Sequence, residues 1–249
     1  MNTFRQLLAS ERPLVLPGAH DAISARLIRR AGFKAYFIGG FPLVGARFGV
    51  PDIGLMGLGE IGAGIRRLGA QAVFFEDQAS PKRCGHIAGK RLLTSQEMET
   101  NIRAAAENKV NPDTFIIART DAREVYGLDE ALRRGERYAS AGADALFIEA
   151  PTSIDEMAQI GRTFDVPLLA NMLEGGRTPI LPPTELEELG FRIVIYGISP
   201  LMHAVRAMQD VLSALSRGDT SFAGNGVGFE EYKSIVGFDR WADIENRYS

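Results

Sequence analysis

Short apolar runs alternate with longer amphipathic stretches along almost the whole chain. Residues 14–17, 35–38, 73–75, 114–119, 145–148, 167–170 and 192–196 are rich in Val, Ile, Leu and Phe. Gly, Pro, Asn or Asp bounds most of them, so each run is a predicted buried strand. Between them, 4–10, 22–31, 95–108, 128–141, 154–164, 183–189 and 201–216 carry apolar positions at helical spacing. Asp21 and Thr94 or Ser95 suit helix starts, and Gly32, Gly142 and Gly190 suit helix ends. Residues 58–68 also read as a helix, although glycines at 59, 62 and 64 cost about 1 kcal/mol each against alanine. A glycine-bearing stretch spans 39–54. Another, at 217–228, reads as a mobile connection, and 229–248 as one or two terminal helices.

Strict alternation of this kind implies a parallel sheet covered by helices. With no break in composition, the reading is one α/β domain over 1–249, with 229–249 as a C-terminal helical extension. Repeated βα units at this length point to a (β/α)8 TIM-type barrel. An open doubly wound sheet is the competing architecture; the G-x-G-x-x-G that would favour it does not follow the first strand. Seven strands are found rather than eight, and the missing one would fall between Ile61 and Ala72.

A net charge of −3 and a pI near 5.7 give no reason to expect nucleic acid or a membrane surface as partner. No apolar run approaches the ~20 residues of a membrane helix. The single cysteine cannot form an internal disulfide, which suits a reducing cytoplasm.

Polar residues gather at the strand ends: His20 and Asp21, Gly39-Gly40, Glu76-Asp77, Arg119 and Asp121, Glu149, Asn171, and Tyr196. In a barrel these positions converge on one mouth. Glu76 and Asp77 suit a hard cation, or else cap and solvate a loop. Arg119 offers a planar fork for a substrate carboxylate, or pairs with a structural acid. Cys84 lies among Lys82, Arg83 and His86, cations that favour the thiolate; the alternative is an inert small residue. His86 either contacts substrate or orients the loop. His20 and His203 have no special signal.

Glu76-Asp-Gln-Ala-Ser-Pro-Lys-Arg-Cys-Gly-His86 resembles the signature of the isocitrate lyase and phosphoenolpyruvate mutase superfamily. Gly49-Val-Pro-Asp-Ile-Gly54, Ile117-Ala-Arg-Thr-Asp-Ala122, Phe147-Ile-Glu-Ala-Pro151, Ala170-Asn171 and Glu174-Gly-Gly-Arg-Thr-Pro179 resemble other blocks of it. The chain looks most like the methylisocitrate and 2,3-dimethylmalate lyase branch. The resemblance implies a Mg2+-dependent (or Mn2+-dependent) carbon–carbon lyase acting on a 2-hydroxy di- or tricarboxylate. It implies that Cys84 protonates the departing carbon, that Arg119 binds the 2-oxoacid part, and that loop 78–90 is a lid. Glu149, Asn171, Gly85 and His86 would contact substrate, Gly39 and Gly40 would cradle a carboxylate, and Glu76 and Asp52 would serve the metal site. It also implies a homotetramer that exchanges a C-terminal helix. Oxaloacetate decarboxylase, phosphonate mutase or hydrolase, and a catalytically silent dicarboxylate-binding barrel are the alternatives.

Two departures stand out. Gly39 occupies the place of a usual serine or threonine. Nothing between Ile61 and Val73 resembles the superfamily's Asp-x-Asp-x-Gly-Tyr-Gly motif, whose aspartates are its principal metal ligands. About thirty residues, one βα unit of a ~250-residue barrel, have no counterpart there.

Overall fold

The computed structural model describes residues 2–49, 71–80 and 89–248. Among these residues six parallel strands make one curled sheet: β1 (Leu14–Pro17), β2 (Ala72–Glu76), β3 (Phe115–Thr120), β4 (Ala145–Ile148), β5 (Leu168–Asn171) and β6 (Phe191–Tyr196). Their order is β1-β6-β5-β4-β3-β2. The first strand therefore pairs with the last, Leu14 against Ile193 through Pro17 against Tyr196. That pairing is the closure expected of a barrel rather than of an open doubly wound sheet. Among the described residues the curl is a half-barrel.

Residues 35–38, expected as a full strand, form a single parallel bridge from Phe37 to Gly18. Two hydrogen bonds hold it to the β1 edge: Phe37 N to Pro17 O at 2.9 Å and Ala19 N to Phe37 O at 2.8 Å. The run is cut short because Gly39 is already the N-cap of a helix. The proposed helix at 58–68 lies outside the described residues.

Among the described residues the helices are α1 (Phe4–Ser10), α2 (Ala22–Arg30), α3 (Gly40–Phe48), α4 (Ser95–Glu107), α5 (Ala122–Tyr126), α6 (Leu128–Ser140), α7 (Ile154–Thr163), α8 (Pro183–Glu188), α9 (Ser199–Ser216), α10 (Phe229–Val236) and α11 (Phe238–Tyr248). Local chemistry sets several starts. Asp21 and Ser24 form a reciprocal capping box on α2, and Thr94 and Glu97 form one on α4. Helices α3 and α5 were not anticipated. The glycines and proline of α3 disguise its helical spacing, and α5 is only five residues long.

Strand alternation sorts the core into two clusters. Leu14, Leu16, Phe115, Ile117, Ala145, Phe147, Leu169, Ile193 and Ile195 face one another inside the curl. Phe4 and Leu8 of α1 join them, with Phe4 tilted onto Phe115 at 5.0 Å. Helix α1 thus plugs the N-terminal end of the strands and leaves the C-terminal end as the mouth. The intervening residues, among them Ala118, Leu146, Ile148, Leu168, Ala170 and Val194, pack outward against α4, α6, α7 and α8.

The outer layer is tightest where α7 meets the turn after α8. A Cβ placed on Gly161 would lie 1.7 Å from the Leu189 carbonyl oxygen, a backbone atom that no rotamer can move. Gly161→Ala is therefore expected to destabilise the protein by about 1–3 kcal/mol or more, read as a lower urea midpoint; an unchanged midpoint would refute this account of the packing.

Candidate active site

Continuing the inward register of β2, β3, β4 and β5 past the apolar layer reaches Glu76, Arg119, Glu149 and Asn171. Phe74, Ile117, Phe147 and Leu169 lie two residues earlier on the same face. The four polar side chains share one end of four neighbouring strands. Glu76 pairs in register with Arg119.

Arg119 is the hub. Its Nε and Nη2 donate to the two carboxylate oxygens of Asp121, both at 3.0 Å. Its Nη1 lies 2.9 Å from Glu149 Oε2, and its Nε 3.6 Å from Glu76 Oε2. The guanidinium carbon stands 5.1 Å from the centre of the Phe147 ring. Burial alone would oppose the charge, but Glu149 and then Asp121 outweigh it and hold the guanidinium above its ordinary, already high range. Arg119 is a permanent cation held in one orientation. Both sequence-level readings of it concern the same atoms: it pairs with a structural acid, Asp121, and it stands at the mouth.

Asp77 parts company with Glu76. It is fully buried on the helix side of the sheet. Its Oδ2 accepts from Thr120 Oγ1 at 2.7 Å, Arg134 Nη1 at 2.9 Å and Tyr138 OH at 2.9 Å; its Oδ1 accepts from Asp121 N at 2.9 Å. Burial, then the Asp77 carboxylate, pushes the Tyr138 hydroxyl far up, so it remains a donor. Asp77 is thus a bracket behind the mouth, tying β2, β3 and α6 together.

Lys90 carries no signal of a role in the sequence. Its side chain is 1% exposed, with Nζ 3.8 Å from Asp121 Oδ1 and ion-paired to Glu124 of α5. Nothing in its spacing announces this, because its partners are distant in the sequence. The orphaned Oδ1 of Asn171 is buried with no hydrogen-bond partner among the described residues. A left-handed Ala150, at φ 57°, turns the chain just after Glu149.

Gly39 N-caps α3, and Gly40 is its first residue, which sets backbone amides at a helix start, a disposition suited to an anion. A Cβ on Gly39 would come 2.8 Å from the Phe37 ring, so glycine fits the close approach there. Asp52, Cys84, Gly85 and His86 lie outside the described residues. No group of three His, Cys, Asp or Glu side chains among the described residues is placed to hold a metal ion. The described acids of the mouth are turned toward Arg119, and they do not by themselves fit a Mg2+ site.

The family model for phosphoenolpyruvate phosphomutase matches residues 60–216, a span that holds β2 to β6 and with them Glu76, Arg119, Glu149 and Asn171. The chain belongs to this family. Among its relatives, 2,3-dimethylmalate lyase of Eubacterium barkeri is 38% identical over 287 residues, covering 100% of this chain and 99% of that protein. That alignment is longer than the 249 residues here, so the relative carries residues with no counterpart in this member of the family. A crystal structure of 2,3-dimethylmalate lyase superposes with a TM-score of 0.90 at 29% identity, covering 100% of this chain and 96% of that one. A phosphonopyruvate hydrolase in complex with oxalate and Mg2+ gives 0.83 at 26% identity, over 98% and 97%. No helix among the described residues is long and apolar enough to cross a membrane.

Proposed function

We propose that this chain is a carbon–carbon lyase that cleaves a 2-hydroxy di- or tricarboxylate of the dimethylmalate or methylisocitrate type. The observation that carries the reading is the convergence of Glu76, Arg119, Glu149 and Asn171 on one mouth in a member of this family. In such a cleavage the C2 hydroxyl loses its proton, the C2–C3 bond breaks, C2 becomes the carbonyl of pyruvate or a related 2-oxoacid, and C3 gains a proton. Arg119, held rigid by Asp121 and Glu149, supplies fixed positive charge beside the carboxylate and the C2 alkoxide oxygen that becomes the carbonyl of the 2-oxoacid fragment. Asn171 and the amides at Gly39 and Gly40 add neutral hydrogen bonds. Cys84, with Lys82, Arg83 and His86 nearby in sequence, is the proton donor to C3, and Gly85 and His86 contact the substrate.

Mg2+, or Mn2+ in its place, is the metal we assign, on the family's habit and the hydrolase complex. Glu76 and Asp52 would contribute to its site. Because the described residues do not complete that site, the steps above are assigned to the chain's own groups. Exposed Met208, Leu212, Phe229, Phe238 and Trp241 support assembly through α9 and the terminal helices, as a homotetramer. The single cysteine supports a cytoplasmic setting.

The test is turnover of 2,3-dimethylmalate and 2-methylisocitrate, followed by reduction of the 2-oxoacid released. Hydrolysis of phosphonopyruvate or decarboxylation of oxaloacetate, with neither hydroxyacid cleaved, would replace this reading with the corresponding alternative. Binding without any turnover would make the chain a silent dicarboxylate-binding barrel. Cys84→Ser is expected to lower kcat on the order of 10²–10⁴-fold, the range for loss of a positioned acid. Full turnover in that variant would remove Cys84 from the mechanism.

A further inference from the structure

A chain of alternating charge runs from the floor of the mouth to its rim. Arg119 Nη2 and Lys90 Nζ share one oxygen, Asp121 Oδ1, at 3.0 and 3.8 Å. Lys90 then pairs with Glu124 Oε2, and Glu124 Oε1 lies 3.2 Å from Arg177 Nη2. The chain links the segment after β2, the end of β3, helix α5 and the loop after β5. Asp121 is fully buried and Lys90 nearly so, while Arg177 reaches the solvent at the rim.

This arrangement has an electrostatic cost and a purpose. Burial works against the Lys90 charge first, Asp121 opposes that loss, and Arg119 adds to it; the net effect holds the ammonium below its ordinary range. A cation is kept in this place despite the cost of desolvating it. The four carboxylates of Glu76, Asp121, Glu149 and Glu124 face three cations, Arg119, Lys90 and Arg177. Without Lys90, the ion pairs named above among the described residues would leave the same four acids two cations. Among the described residues Asp121 would then draw on Arg119 alone, and the added negative charge would oppose any incoming carboxylate.

We infer that Lys90 is a positioning residue: by sharing Asp121 Oδ1 it fixes the Arg119 guanidinium and preserves the positive charge with which Arg119 meets a substrate carboxylate. The inference rests on the proposed function for its ligand, a 2-hydroxy dicarboxylate or a 2-oxoacid such as pyruvate. It does not rest on it for its geometry, because Arg119 and Lys90 are coupled whatever the substrate is.

Two measurements test it. In Lys90→Met, KM for 2,3-dimethylmalate and the calorimetric Kd for pyruvate are expected to rise tenfold or more. The fall in kcat is expected to stay under threefold. A lysine that served only the fold would not split the constants in this way. Lys90→Arg, which keeps the charge, is expected to recover most of the affinity. Should Lys90→Met not fold, Lys90→Met with Glu124→Gln removes both buried partners together and is expected to show the same rise in KM. The second measurement needs no substrate. Urea midpoints of Lys90→Met, Arg119→Gln and their double variant are expected to be non-additive, because the two side chains share an acceptor. Additive midpoints overturn the inference, as does an unchanged KM in a folded Lys90 variant. Failure of the wild type to cleave any 2-hydroxyacid would sink the functional reading alone and leave the urea cycle to decide this one.

Discussion

Asp77→Ala is expected to lower the stability of the protein by about 3–5 kcal/mol, as a broken buried ion pair does. The carboxylate is fully buried and receives four donors, from Thr120, Arg134, Tyr138 and the Asp121 amide. Alanine would take from Arg134, whose side chain is 7% exposed, the more buried of its two carboxylate partners, leaving Glu130, and would strand a Tyr138 hydroxyl that is wholly buried. It would also release the Asp121 amide, and Asp121 is the residue that grips Arg119. Asp77→Asn keeps an acceptor oxygen but loses the charge, so its loss should be smaller. Urea unfolding of the three proteins measures the series. If alanine and asparagine both leave the midpoint unchanged, the bracket is not a source of stability.

Arg119→Lys is expected to reduce kcat/KM on the order of 10²–10³-fold, the scale seen when one fixed donor is removed from a developing negative charge. The charge is conserved in this variant, so the loss measures geometry. One ammonium cannot donate through Nε and Nη2 to Asp121 while presenting Nη1 to Glu149. Pyruvate affinity should fall with it. A variant within tenfold of the wild type would show that fork geometry is unimportant and that any cation at this place suffices.

Much of this arrangement was legible in the chain itself. The strand-end rule picked out Glu76, Arg119, Glu149 and Asn171, and all four end on the inward face of the curl. It worked because each follows a short apolar run whose length sets the face. The same rule could not separate Glu76 from Asp77. The run before them, Val73-Phe-Phe75, is apolar throughout and shows no alternation, so nothing signalled that the pleat sends one acid inward and the other against Tyr138. Residues 35–38 looked as strand-like as any run. Their single bridge at Phe37 reflects the next residues, because Gly39 N-caps a helix before a second bridge can form. Lys90 was illegible for another reason. Its partners, Asp121 and Glu124, lie more than thirty positions away, and only the fold brings them together. The expected roles of Asp52, Cys84, Gly85 and His86 lie outside the described residues.

The shared inward register has a bearing on how such a protein can change. The side chains proposed for the chemistry and those that fill the interior are consecutive members of the same alternating series, with Arg119 two steps beyond Ile117 and Glu149 two steps beyond Phe147. Adding or removing a single residue within one of these strands would turn its charged group toward the helices and an outer apolar residue toward the mouth. Divergence of specificity is therefore channelled: it can proceed by exchanging one side chain for another within strands, or by altering lengths freely in the segments between them.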